Sequence, residues 1–222
     1  MYKTNFGDLP KQYSTLKTAK AVILPVPYDG TSTWGKGADK GPGAILEASA
    51  NMELYDIETA SEVYKKNIFT AKPVTEKGAP EKMVKKVETT AAEFLKKGKF
   101  VVTLGGEHSV SAGVINAYAK KFKNLSVLQL DAHSDLRPEY HGSKYNHACV
   151  MSRVRELCPI VQVGIRSMDI IEKPFIKKDR VFFAENIYNK TDWMDKAISK
   201  LTDQVYITID LDVFDPSILP ST

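Results

Sequence analysis

The chain has 222 residues, of which 43% are hydrophobic and 26% charged, a composition typical of a folded globular domain and not of a disordered chain. The net charge of +4 comes from scattered lysines, with no basic stripe between aromatic residues, so no nucleic-acid partner is predicted. No apolar run is as long as a membrane span or signal peptide, and Cys149 and Cys158 form no CxxC pair. We therefore predict a cytoplasmic protein with reduced thiols and no membrane partner.

Short apolar runs alternate with helical patterns along the chain. The predicted strands are Ala21–Val26, Ile68–Ala71 (a weaker candidate), Phe100–Leu104, Leu125–Leu130, Ile160–Val163, Val181–Phe183 and Val205–Ile209. One predicted helix begins at Pro42 and runs to about residue 52, and a second lies around residues 83–95 and ends before Gly98. Three further helices are predicted at residues 109–122, 148–157 and 191–202. This alternation predicts an α/β fold with a mostly parallel sheet that helices cover on both faces, in three layers. In such sheets, ligands bind beyond the carboxyl ends of the strands.

Three polar clusters each follow a predicted strand, at that functional edge. They are Gly105-Gly106-Glu107-His108-Ser109, Asp131-Ala132-His133-Ser134-Asp135, and Asp210-Leu211-Asp212 with Asp215-Pro216 beyond it. Taken singly, each has an ordinary explanation, because glycine pairs form turns, aspartates cap helices and histidines pack. Their shared position favours one common site.

The spacing of the acids indicates metal binding. In an extended chain, Asp131, His133 and Asp135 share one side of the backbone, and Asp210 and Asp212 do the same. Carboxylates that are forced together repel each other and are costly to desolvate, so cations must neutralise them.

The predicted ligand set has six members: His108, Asp131, His133, Asp135, Asp210 and Asp212. Six ligands are too many for one tetrahedral zinc ion and suit two metal ions that share bridging carboxylates. The four carboxylates balance the charge of two divalent ions. A set with only two imidazoles favours two Mn²⁺, although Co²⁺, Ni²⁺ and Fe²⁺ also fit.

The three clusters resemble the signature motifs of the ureohydrolase family of arginases and agmatinases. The match, in order and approximate spacing, spans residues 105 to 217, and Pro27-Tyr28-Asp29-Gly30-Thr31 resembles the family's entry loop. The resemblance implies an arginase-like fold and a hydrolase in which two Mn²⁺ activate water against a guanidinium carbon, releasing urea and a primary amine.

The same resemblance implies roles for individual residues. One ion would be held by His108, Asp131, Asp135 and Asp210, and the other by Asp131, His133, Asp210 and Asp212. Asp135 would also accept a proton and help pass it to the leaving amine. The proton shuttle to solvent is matched best by His147, with His141 as the competing candidate.

The loop from Leu136 to His147 is similar to the agmatinase branch, which predicts that agmatine is split into putrescine and urea in polyamine biosynthesis. Guanidinobutyrate, arginine and guanidine are alternative substrates. Arg137 has two interpretations: it meets a substrate carboxylate, which would favour a guanidino acid, or it forms a surface salt bridge.

Residues 1–222 are predicted to form a single ureohydrolase-like domain that lacks its C-terminal part. Family members continue beyond the third motif, with a glutamate for the substrate and a strand between those corresponding to 100–104 and 205–209. The resemblance also implies a homo-oligomer, a trimer or hexamer. Two other hypotheses are a dinuclear phosphoesterase and a truncated, non-catalytic homologue that binds metal or a partner.

Overall fold

The strands of residues 5–220, the part of the chain that the computed structural model describes, lie parallel to their neighbours in two sheets. They are β1 (Ala21–Val26), β2 (Ile68–Thr70), β3 (Phe100–Gly105), β4 (Leu125–Leu130), β5 (Ile160–Ile165), β6 (Val181–Phe183) and β7 (Gln204–Ile209). The α-helices are α1 (Gly41–Ser49), α2 (Pro80–Lys96), α3 (Val110–Lys121), α4 (Val150–Val154), α5 (Ala184–Ile187) and α6 (Trp193–Ile198). The chain divides into two compact units, one ending at Ala117 and the other beginning at Tyr118.

The first unit is built on the sheet β2-β1-β3, in which β1 is central. Its apolar run is buried because parallel strands are covered on their faces. The amphipathic helix α2 buries Met83, Val87 and Ala91 completely. Helix α3 approaches α2 closely at Gly113, where an added Cβ would lie 2.5 Å from the backbone oxygen of Val84.

The second unit is built on the sheet β6-β5-β4-β7. Val161 and Val163 of β5 form its core with Ala197 of α6, and Phe182 and Trp193 pack against them. The last residues of β4 and β7, Leu130 and Ile209, are paired in register. The turns that follow these two strands therefore begin side by side.

Strands β3 and β7 are each at the edge of their own sheet. The single domain expected from the sequence stays a prediction.

The mixed α/β architecture with parallel strands is confirmed, and each predicted strand is present with bounds shifted by two residues at most. Three predicted helices end at least three residues early, and one of them is α1, which ends at Ser49 and not near residue 52. Residues 147–149 form a 3₁₀ turn ahead of α4, which ends at Val154. Helix α6 covers only Trp193–Ile198, and the hydroxyl of Ser199 then binds the carbonyl of Lys196 at 2.7 Å. None of the described helices has the length and apolarity that a membrane crossing requires.

Candidate metal centre

Asp131 is the most buried acid of the loop that follows β4, with 1% of its surface exposed. Its backbone amide donates to the carbonyl of Val163 at 3.1 Å, which extends the β4–β5 ladder. Its carboxylate accepts hydrogen bonds from the amide of His133 at 2.6 Å and from Nε2 of Gln129 at 2.8 Å. Gln129 lies two residues earlier and so faces the same side of β4. The carboxylate is therefore held in place from both sides.

The backbone does not remain extended through Asp135, contrary to the interpretation drawn from the spacing. Asp135 has φ = 51°, in the left-handed region, which costs a non-glycine residue roughly 1–2 kcal/mol. An extended chain would place residues i and i+4 about 13 Å apart. Asp131 and Asp135 instead offer oxygen atoms within 4.8 Å of each other. A local fold of the backbone, and not strand alternation, brings the two acids together.

His133 and Asp212 connect the turns that follow β4 and β7. Nδ1 of His133 lies 2.8 Å from Oδ2 of Asp212, and Oδ1 of Asp212 accepts from the amide of Ala132 at 3.0 Å. The hydrogen bond to Asp212, assisted by the charges of nearby carboxylates, raises the pKa of His133 to about 9. Burial acts to raise the pKa of Asp212, but the hydrogen bonds from His133 and Ala132 outweigh it and lower that pKa.

Asp131, His133 and Asp212 fit a divalent cation. Each offers one donor atom, and the three atoms lie within 4.8 Å of one another. Two carboxylates and one imidazole are ligands that Mn²⁺ and neighbouring divalent ions accept. Clustered carboxylates of which one is fully buried gain from a cation, because its charge offsets their repulsion and desolvation.

Asp210 directly follows β7, and its amide donates to the carbonyl of Leu130 at 2.9 Å. Its side chain caps the 3₁₀ turn Leu211–Val213 by accepting from the amide of Asp212 at 3.3 Å. The cluster of Asp131, His133 and Asp212 does not include it. The bridging role that the resemblance gives to Asp210 stays a prediction.

His108 belongs to the first unit, where it lies between β3 and α3, as predicted. Its neighbour Glu107 is 7% exposed and accepts from the amide of Ser109 at 2.9 Å and from the Ser109 hydroxyl at 2.7 Å. Burial raises the pKa of Glu107 despite these hydrogen bonds. Gly106 has no room for a side chain, since a Cβ there would lie 1.9 Å from the carbonyl oxygen of Tyr28. The role of His108 as a metal ligand stays a prediction.

Of the two shuttle candidates, His147 lies in a turn that approaches Asp135. It opens the 3₁₀ turn His147–Cys149, which Asn146 caps by accepting from the amide of Ala148 at 3.2 Å. Burial, followed by the charge of Asp135, raises the pKa of the Cys149 thiol to about 11. The amide of Arg137 donates to the carbonyl of Ala148 at 3.1 Å, so the turn packs against the loop that contains Asp135.

His141 is exposed and has φ = 49°. Its ring centroid lies 4.1 Å from that of Tyr140. These features are those of a surface loop, and they favour His147 as the shuttle.

Arg137 forms an ion pair within the protein. Its Nη2 lies 3.0 Å from Oδ2 of Asp169, and its guanidinium group stacks over the ring of Tyr140 at 4.4 Å from the ring centroid. Of the two interpretations of Arg137, the structure favours the salt bridge.

The buried polar residues that hold the loop after β4 were not predicted from the sequence. Gln162 donates to Oε1 of Gln129 at 2.7 Å and to the carbonyl of Ser134 at 2.9 Å. Glu172 accepts from the Ser134 hydroxyl at 2.7 Å. Two signals were available: glutamines within apolar strands, and the Asp169-x-x-Glu172 spacing of a capping box, which the structure contains.

The chain is similar in sequence to known ureohydrolases over most of its length. The sequence model of the arginase family matches residues 19–222. The N(1)-aminopropylagmatine ureohydrolase of Synechocystis sp. is 37% identical, over 97% of this chain and 76% of that protein. The agmatinase of Bacillus subtilis is 32% identical, over 92% of this chain and 71% of that protein.

Solved structures share the fold. The agmatine ureohydrolase of Thermoplasma volcanium has a TM-score of 0.83 and 30% identity, over 93% of this chain and 72% of that one. The formimidoylglutamase of Bacillus subtilis reaches a TM-score of 0.83 at 22% identity, over 98% of this chain and 73% of that one, a likeness of fold alone. The arginase-like fold expected from the motifs is confirmed.

Proposed function

The chain belongs to the arginase family and is a hydrolase of amidine carbon–nitrogen bonds, and from this premise we propose that it cleaves agmatine to putrescine and urea. The observation that carries the proposal is the convergence of Asp131, His133 and Asp212 within 4.8 Å. These three residues come from the turns that follow two paired strands. Such convergence of acids is expected for a metal-dependent hydrolase.

The cofactor that we propose is a pair of Mn²⁺ ions. His108, Asp131, Asp135 and Asp210 would hold one, and Asp131, His133, Asp210 and Asp212 the other. When bound, the ions would make water nucleophilic near neutral pH and stabilise negative charge that develops on the substrate. Two observations in the second unit support this set: Asp131 and Asp135 offer oxygen atoms within 4.8 Å of each other, and in a separate group the donor atoms of Asp131, His133 and Asp212 lie within the same distance.

The protein's own groups would manage the protons. Water adds its oxygen to the guanidinium carbon, the bond from that carbon to the alkyl nitrogen breaks, and the departing nitrogen takes up a proton. Asp135, which is 7% exposed, would accept the proton of the attacking water and pass it to that nitrogen. His147, less buried and close to the same loop, would exchange protons with solvent.

Agmatine has one specific competitor as the substrate. Relatives at 37% and 38% identity are named N(1)-aminopropylagmatine ureohydrolase, whereas the agmatinase of Bacillus subtilis is 32% identical. These names favour N(1)-aminopropylagmatine as the second candidate. Both compounds carry a guanidinium group and at least one protonated amine, and an acidic site suits such cations.

The test is urea release by the Mn²⁺-loaded protein with a panel of guanidines. We expect release from agmatine or N(1)-aminopropylagmatine, with the higher kcat/KM identifying the substrate, and little from arginine, guanidinobutyrate or guanidine. Loading with Co²⁺, Ni²⁺, Fe²⁺ or Zn²⁺ in place of Mn²⁺ identifies the preferred metal. A metal-loaded protein that releases phosphate from an aryl phosphate and no urea would be a phosphoesterase instead. A protein that binds Mn²⁺ and releases neither product would be a non-catalytic homologue.

We further propose that residues 1–222 act as one ureohydrolase domain and that the chain assembles into a trimer or hexamer. Light scattering after size-exclusion chromatography measures the mass of the assembly. One chain has a mass of 24.7 kDa, so a measured mass of about 25 kDa would indicate a monomer and contradict the proposed assembly.

A further inference from the structure

Glu172 is a buried acid that the proposed chemistry does not use. It is 3% exposed and lies in the 3₁₀ helix Ile170–Phe175, on the segment that follows β5. Burial of a carboxylate is costly unless donors surround it. Glu172 has three: the Ser134 hydroxyl at 2.7 Å, the amide of Leu136 at 2.7 Å and the amide of Asp169 at 2.6 Å.

Two of these donors flank Asp135 on either side. The hydroxyl of Ser134 and the amide of Leu136 both bind one oxygen, Oε1 of Glu172. Asp135 stands between them with its left-handed backbone, while the amide of Ser152 donates to its carbonyl at 3.1 Å. The single carboxylate oxygen therefore binds the side chain of the residue immediately before Asp135 and the backbone of the residue immediately after it.

We propose that Glu172 is a positioning residue that holds Asp135 in this conformation and so sets the position of the Asp135 carboxylate beside Asp131. The catalytic part of this proposal rests on the proposed function, in which Asp135 binds metal and transfers a proton. Without Glu172, Asp135 would relax towards an extended backbone, and its carboxylate would move away from Asp131. Metal binding would weaken, and turnover would fall because the proton acceptor is displaced.

A simpler role for Glu172 is to cap the 3₁₀ helix. The third donor supports it, because the amide of Asp169 binds Oε2 of Glu172 while Asp169 accepts from the amide of Ile171 at 3.1 Å, which completes a capping box. A cap alone involves only Oε2 and predicts lower stability with unchanged metal affinity. The bonds to Oε1 predict a change in metal affinity, so the two roles can be separated.

The experiment compares three variants, Glu172→Gln, Glu172→Ala and Ser134→Ala, with the unaltered chain. The control variant is Glu185→Gln, because Glu185 is an exposed acid in α5 of the same unit. The affinity for Mn²⁺ is measured from the EPR signal of free Mn²⁺, at a temperature well below the melting point of each variant. We expect Glu172→Gln and Ser134→Ala to weaken binding about 10-fold and Glu172→Ala about 100-fold, the range typical for partners that orient metal ligands. Where urea is released, kcat should fall with KM within about 2-fold, since substrate contacts are not altered.

The possible outcomes distinguish a failure of the positioning role of Glu172 from a failure of the proposed enzymatic function. Weaker Mn²⁺ binding in Glu172→Gln with normal binding in Glu185→Gln supports the positioning role, whether or not the protein releases urea. Equal Mn²⁺ affinity in all variants overturns the positioning role and leaves the proposed function intact. An unaltered chain that binds no Mn²⁺ overturns both. If Glu172→Gln does not fold, Ser134→Ala decides in the same way, because it leaves the Glu172 carboxylate and its cap in place.

Discussion

Nδ1 of His133 and Oδ2 of Asp212 lie 2.8 Å apart, although 79 positions separate the two residues along the chain. The contact follows from strand pairing, because Leu130 and Ile209 are opposite each other at the carboxyl ends of β4 and β7. The residues that follow, Asp131 and Asp210, are both acids, and Nδ1 of His133 lies 3.9 Å from Oδ1 of Asp131. The parallel register is thus what converts two separate sequence motifs into one cluster of donor atoms.

Asp212→Asn should abolish urea release. The amide removes a charged ligand and breaks the ion pair with His133, so we expect Mn²⁺ affinity to fall by more than about 100-fold, because even the loss of an outer partner costs about 10- to 100-fold. The measurements are Mn²⁺ binding and kcat. Asp203→Asn is the matched control, since Asp203 is an exposed acid just before the amino end of the same strand β7. Equal effects of the two substitutions would contradict a metal role for Asp212.

His147→Asn and His141→Asn should differ in activity. We expect His147→Asn to lower kcat by about 100-fold or more, the usual contribution of a proton-transferring residue, with Mn²⁺ binding nearly unchanged. His141→Asn should leave kcat within about 2-fold, because His141 is exposed in a surface loop. Small basic buffers such as imidazole should restore part of the activity of His147→Asn. The reverse ranking of the two variants would transfer the shuttle role to His141.

Much of the fold was predictable because buried strands and helix faces have simple patterns. The apolar runs that became β1, β4 and β6 have the predicted bounds. The polar clusters lie at the carboxyl ends of β3, β4 and β7, where a parallel sheet opens, as expected. Tertiary contacts were not needed for these predictions, since they depend on local periodicity alone.

The contacts that shape the loop after β4 were not predictable in this way. Asp135 has a left-handed backbone between Ser134 and Leu136, which both bind Glu172, and no local pattern encodes a contact with a residue 37 positions further along the chain. The carboxylates converge because the chain folds back there, and not because side chains alternate along a strand. The late start of α4 was also not predicted, because residues 147–149 form a separate 3₁₀ turn that Asn146 caps.

Arg137→Gln should leave substrate preference unchanged. Arg137 is engaged by Asp169 at 3.0 Å, so we expect a loss of about 1 kcal/mol in the free energy of unfolding, as for a partly exposed ion pair. The ratio of kcat/KM for agmatine to that for guanidinobutyrate should change by less than about 2-fold. A selective loss of guanidinobutyrate hydrolysis in this variant would show that Arg137 binds a substrate carboxylate.

Gly106→Ala should destabilise the first unit. A Cβ at Gly106 would lie 1.9 Å from the carbonyl oxygen of Tyr28, and that oxygen already accepts from the amide of Glu107 at 2.9 Å. Since backbone must shift to make room, we expect the free energy of unfolding to fall by about 3 kcal/mol or more in urea titrations. Gly35→Ala is the control, because nothing lies within 4 Å of its added Cβ. Equal unfolding midpoints for the two variants would contradict the close approach at Gly106.

The two cysteines should react slowly with alkylating reagents and should make stability depend on alkaline pH. Burial, with Asp135 as the second cause at Cys149, raises the pKa of both thiols to about 11. At pH 8 roughly 0.1% of each is thiolate, so iodoacetamide should modify the native protein about 100-fold more slowly than the urea-unfolded chain.

Since the unfolded thiols ionise first, near pH 8.5–9, the stabilisation is complete below that range and is lost as pH rises towards about 11. The double variant Cys149→Ala, Cys158→Ala should lose less unfolding free energy between pH 8 and pH 10 than the unaltered chain. Equal losses in the two proteins would contradict the raised pKa values. Equal alkylation rates in the native and the unfolded chain would contradict them as well.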